Sequence, residues 1–72
     1  SAQTNLGQMY YGGQGVLQDY VRAHMWLNIA ASSGDTYAVG IRDGVAKWMT
    51  PAQIAEAQKL ARECVRKKYK GC

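Results

Sequence analysis

The residues best suited to chemistry are Cys64 and Cys72, the only two cysteines in the 72-residue chain. In one unbroken helix their Cα atoms would stand ~12 Å apart, at 1.5 Å of rise per residue. A disulfide tolerates no more than ~7 Å. A bridge therefore requires the last helix to stop near Lys67 and the tail to fold back with the help of Gly71. Cys64 alone would pass as a core residue, but a cysteine at position 72 has no packing role, so we expect the two to be bonded. That bond implies an oxidising compartment, a bacterial periplasm or the secreted space; with free thiols the alternative is the cytoplasm.

Other reactive groups do not converge. His24 is the only histidine, and it falls on the polar side of its helix with no base–nucleophile pair beside it. A zinc site needs about four ligands, and Cys64, Cys72 and His24 fall short of that and lack finger spacing. Gly12-Gly13-Gln14-Gly15 follows no strand and precedes no Lys-Ser or Lys-Thr, so it is not a phosphate loop. Asp19, Asp35, Asp43, Glu56 and Glu63 include no pair suited to glycoside hydrolysis. The expectation is a protein that is not an enzyme and holds no metal or cofactor.

Nine Lys and Arg stand against five Asp and Glu, a net charge of +4. Arg62, Arg66, Lys67, Lys68 and Lys70 crowd the end of the chain. Cations there complement the negative end of a helix dipole. With only Tyr69 among them and no recognition motif, the cluster reads as a solvated helix end, and no nucleic-acid partner is expected. A hydrophobic fraction of 47 % excludes a disordered composition. No apolar run approaches the ~20 residues of a membrane span, so no membrane insertion is expected. The start, Ser1-Ala2-Gln3, has neither an initiator Met nor a signal sequence and reads as an excised or processed chain.

Periodicity and glycine divide the chain into four helical segments joined by short loops, so sequential helices should lie antiparallel. The first runs from about Ala2 to Tyr11, with Ala2, Leu6, Met9 and Tyr10 at three- and four-residue steps, and is broken by Gly12 to Gly15. Gly7 inside it costs ~1 kcal/mol relative to Ala, which a closely approaching neighbour would explain. The second begins at the N-cap Asp19 and runs to about Ser33, closed by Gly34. Its apolar residues surround most of the helix, leaving Arg22, His24, Asn28 and Ser32 as the polar side, so it should be sandwiched between neighbours. The third spans about Asp35 to Val45, with Ala38, Ile41, Val45 and then Trp48 at helical spacing and Gly40 and Gly44 as weak points. The fourth opens with Thr50, Pro51 and Gln53 as N-cap, first-turn proline and capping box. Ile54, Ala57, Leu60, Ala61, Cys64 and Val65 form its apolar stripe. Its charged side includes Glu56 with Lys59 and Glu63 with Lys67 at pairing distance. One apolar and one charged face describe a helix that ends a stack.

A shift of 31 residues superposes Asp19 on Thr50, Ile29 on Leu60 and Ala30 on Ala61, and repeats the helix–loop–helix order. In the first half, Asn5-Leu6-Gly7-Gln8-Met9-Tyr10, Gly13-Gln14-Gly15-Val16, Gln18-Asp19-Tyr20, Ala23, Trp26, Ala30-Ala31 and Gly34 stand in one order. This pattern resembles the Sel-one-like repeat, a relative of the tetratricopeptide repeat, with Leu17 where that family often has proline. The second half resembles the degenerate unit that closes such arrays in bacterial members. The resemblance implies an all-α fold, antiparallel helix pairs stacked as a short right-handed α-solenoid. Residues 1–34 would form one repeat, and residues 35–72 a degenerate second repeat with a terminal capping helix. Leu6, Gly7, Tyr10, Ala23, Trp26, Ala30, Ala31 and Gly34 would be structural.

The same resemblance implies a non-catalytic scaffold that binds another protein or peptide on a concave face made by the first helix of each pair. Gln8, Tyr11, Val39, Arg42 and Asp43 lie opposite the apolar stripes of those helices and are the candidate contact residues, Tyr and Arg being frequent binding anchors. Two alternatives stay open. One is a terminal cap with no ligand of its own. The other is a cell-wall-glycan-associated enzyme or binding protein. Because fewer than ~3 repeats are usually unstable alone, a weak homodimer through the first helix is a further expectation.

Overall fold

The computed structural model describes residues 1–72 as four helices: α1 (Ala2–Gly12), α2 (Tyr20–Ser32), α3 (Thr36–Ala46) and α4 (Pro51–Arg66). There is no strand. Each start has a side-chain cap. Ser1 accepts from the Thr4 N–H, Asp19 from Arg22, Asp35 from Tyr37 and Ala38, and Thr50 from Gln53, whose own side chain returns the bond to complete the capping box. Gly13, at φ 70°, closes α1 and turns its N–H to the Met9 carbonyl, a conformation that only glycine takes at little cost.

α2 is the hub. It packs against α1, α3 and α4, whereas α3 and α4 hardly touch. One flank of α2 joins Ala23, Leu27 and Ala30 to Ala38 and Val45 of α3. The other joins Met25, Trp26 and Ile29 to Ala61 and Cys64 of α4. Tyr10 of α1 packs against both clusters. A helix enclosed this way cannot carry a polar side for much of its length, which is why α2 is apolar nearly all round. Gly7 is the closest approach: a Cβ there would lie 2.6 Å from Leu27 Cγ and 3.2 Å from the Ala23 carbonyl oxygen.

Several sequence expectations need correction. His24 is not on an exposed side; it is buried, because α3 lies along that flank and brings Arg42 to Asn28, one turn further on. Trp48 is 67 % exposed, because α3 ends at Ala46 and a turn at Lys47–Met49 carries the indole off the helical stripe. Ala2 is also exposed, and Val65 is 49 % exposed. The expected Glu56–Lys59 and Glu63–Lys67 ion pairs do not form; exposed side chains gain too little from pairing to hold one geometry. Of the residues expected to be structural, Gly7, Ala23, Trp26 and Ala30 are buried, Leu6, Tyr10 and Ala31 are half-buried, and Gly34 is exposed at the turn after α2.

The tail folds back and Cys64 and Cys72 are bonded, with Cα atoms 5.8 Å apart. The reversal begins earlier than Gly71. Lys68 and Tyr69 both take positive φ, 56° and 66°. The Tyr69 N–H reaches the Cys64 carbonyl at 2.8 Å and the Lys68 N–H reaches Val65 at 3.0 Å, the pair of bonds that ends a helix in a Schellman motif. The Cys72 carbonyl then accepts from Arg22 Nη1 at 3.2 Å, pinning the tail to α2.

Candidate functional site

The end of α1 and the face of α3 turned toward it enclose an open groove of about 370 Å³. Tyr11, Ile41, Gly44, Val45, Lys47 and Trp48 line it. Val45 is buried and supplies the floor, while Tyr11 is 37 % exposed and Trp48 67 %. Gly44 has open space where a side chain would stand, so the groove owes part of its depth to a missing Cβ. Tyr11 is held by the Tyr20 ring, centroid to centroid 5.6 Å and tilted 32°. A pre-positioned aromatic, an exposed indole and one cation beside an apolar floor can receive an apolar side chain, with Lys47 free for a carboxylate.

Of the candidate contact residues, only Tyr11 lines this groove. Gln8, half-buried, lies one turn before it on α1. Val39 and Arg42 are half-buried and Asp43 is exposed on α3. Arg42 and Asp43 belong to a different cluster, at the junction with α2. Arg42 Nη1 donates to Asn28 Oδ1 at 2.9 Å, and its Nε donates to Asp43 Oδ1 at 3.2 Å. The same arginine bears on His24, whose Nδ1 is buried without a partner. Burial first, and then the Arg42 charge, hold the imidazole below its ordinary value of 6.5, against a smaller opposing pull from Asp43. The ring is thus neutral at pH 7 and acts as packing between α2 and α3.

Periodicity could not reveal the groove. Trp48 stands three residues after Val45, the spacing of a core stripe, and only the end of α3 at Ala46 separates the two fates. Lys47 and Gly44 carried no signal beyond the glycine pair already noted. Thr4 was also missed. It is buried, and its hydroxyl donates to Asp35, which caps α3 with its other carboxylate oxygen. That hydrogen bond is the leading reason the Asp35 carboxyl titrates below its ordinary value of 3.8.

Four capped helices, a shared hub and a lateral groove define a short helical-repeat stack. Residues 1–35, just under half of the chain, match the family model described as Sel1 repeat, which supports a Sel1-like repeat over that segment. Such repeats are helical modules that generally mediate protein interactions. No curated protein and no solved structure matches the chain.

Proposed function

We propose that the chain is a non-catalytic protein-interaction module whose contact surface is the α1–α3 groove, and that its ligand is a peptide segment with an apolar anchor and a neighbouring carboxylate. The observation that carries this reading is that Tyr11, Trp48 and Lys47 line one groove together with the apolar Ile41 and Val45. Gln8 extends the surface along α1. Arg42 and Asp43 enter it through α3, whose position they fix on α2, rather than by touching the ligand in this groove.

Peptide phage display against the folded domain tests it. Peptides enriched on the wild type should share an aromatic or aliphatic anchor and an acidic position. Trp48→Ala and Tyr11→Ala should each weaken them at least about tenfold, since aromatic anchors dominate such contacts. Trp48→Ala should leave the melting temperature unchanged because the indole is 67 % exposed. Peptides that bind both variants as well as the wild type rule the groove out.

Within the same proposal, residues 35–72 form a degenerate second repeat in which α4 closes the stack. The outer residues of α4, among them Glu56, Lys59 and Arg62, are exposed, as suits a terminal helix facing water. The Cys64–Cys72 bond supports an oxidising compartment.

A further inference from the structure

A second groove, of about 360 Å³, runs between α2 and the last turns of α4. Asn28, Ile29 and Ser32 line one side and Ala61, Arg62 and Val65 the other. It shares no residue with the groove of Tyr11 and Trp48. It exists because α3 and α4 hardly touch, so the strip of α2 between them is left partly open.

Its chemistry is one-sided. Ile29 and Ala61 are buried and Val65 is 49 % exposed, so the α4 apolar stripe continues beyond the core it covers. Asn28 Oδ1 is occupied by Arg42, which leaves the carboxamide its N–H₂ donors. The Ser32 hydroxyl donates to the Asn28 carbonyl at 2.9 Å. Arg62 makes no ion pair and no side-chain hydrogen bond. No acid lines the groove; α2 contains none, Asp43, the single acid of α3, is taken by Arg42, and Glu56 and Glu63 of α4 lie outside the lining. Beyond Arg62, the exposed Arg66, Lys67, Lys68 and Lys70 carry the positive potential off the end of α4.

We propose that this groove seats an amphipathic helix of a partner protein, with acidic side chains bordering its apolar stripe. Apolar side chains at i, i+3 and i+4 rest on Ile29, Ala61 and Val65. A bordering carboxylate takes the Arg62 guanidinium, which can bind both oxygens, with the Asn28 N–H₂ as a second donor. The charge selects an acidic partner. The absence of an aromatic among the lining residues disfavours a single-stranded nucleic acid, whose bases would need aromatic side chains to stack on, and the apolar floor offers nothing to the phosphates of a duplex.

A fluorescein-labelled synthetic helix with Leu at i, i+3, i+4 and i+7 and Glu on both borders is the probe, read by anisotropy. The Glu-bordered helix should bind, more weakly as salt rises, and the same helix with Lys for Glu should not. Arg62→Glu and Val65→Asp should each reduce affinity at least about tenfold, the loss expected for a charge-assisted contact. Both positions are exposed, so melting temperatures should hold, and Trp48→Ala should bind like the wild type. Failure of the Glu-bordered helix to bind, equal binding of the Lys-bordered one, full retention in Arg62→Glu, or displacement by double-stranded DNA overturns the proposal.

Discussion

At the scale of single residues, the glycines of this chain separate into two physical kinds. Gly7 faces Leu27 at a distance no real Cβ would accept, and the atom in the way is the Cγ branch point of a side chain with no exposure. Gly40 has nothing within 4 Å of where its Cβ would be. Alanine raises helix propensity by ~1 kcal/mol at either position. At Gly7 that gain is outweighed by overpacking, which costs typically 1–3 kcal/mol, with the Ala23 carbonyl blocking a simple shift. Gly7→Ala should therefore destabilise the fold by up to about 2 kcal/mol, and Gly40→Ala should stabilise it by about 0.5–1 kcal/mol. Urea unfolding of the two variants beside the wild type reads both signs. If the two shift alike, the close approach of α1 to α2 is not what places glycine at position 7.

At the scale of elements, α2 and α4 end in the same hydrogen-bond motif with different residues at its left-handed position. After α2 the residue is Gly34, at φ 102°, with the Asp35 N–H closing on Ala30. After α4 it is Lys68, at φ 56°. A side chain in that conformation costs roughly 1–2 kcal/mol, and the disulfide holds it there. Lys68→Gly should thus raise stability by up to about 1 kcal/mol, after the greater unfolded-state entropy of glycine is deducted. Opening the bond returns the loop entropy of an eight-residue separation, about 2.5 kcal/mol on a chain-entropy basis, less the strain released at Lys68. Cys72→Ser should lower stability by about 0.5–1.5 kcal/mol, measured by denaturant midpoint, and should loosen the last turn of α4 to hydrogen exchange before the rest.

These elements also show what the sequence could tell. Two of the four N-caps were legible because a cap is a local event: Asp19, and Thr50 with its capping-box partner Gln53, announce themselves within one turn, whereas Ser1 and Asp35 did not. The sandwiching of α2 was legible because three packed faces demand an apolar residue at most positions. The burial of His24 was not. It depends on which flank α3 covers, and the loop Ser33–Asp35 fixes that, not the composition of α2. The fold-back of the tail was legible only as a condition on two cysteines, since Lys68 and Tyr69 are not residue types that advertise positive φ. The grooves were hidden for the same reason: each lies between helices far apart in sequence.

At the scale of the whole molecule, acid sensitivity should come from two junctions rather than from the surface. His24 sits where α3 meets α2, and Asp35 joins α1, α2 and α3 through Thr4, its own N–H and its cap. Burial and Arg42 lower the imidazole below 6.5 in the folded chain. As pH falls through 6.5 the unfolded chain therefore takes up a proton that the folded one refuses, and stability falls with pH until the folded imidazole titrates. The Thr4 hydroxyl lowers Asp35 below 3.8, so its contribution is complete above that value and is lost as pH drops through the folded carboxyl's own pKa. Urea midpoints taken from about pH 8 to about pH 3 should show two descending steps separated by a shallower stretch. His24→Gln should remove the upper step while leaving the lower, and Thr4→Val should shrink the lower while leaving the upper. A wild-type profile that is flat just below pH 6.5 would mean that the imidazole is as easily charged inside the molecule as outside it, and that Arg42 and the packing of α3 do not hold it neutral.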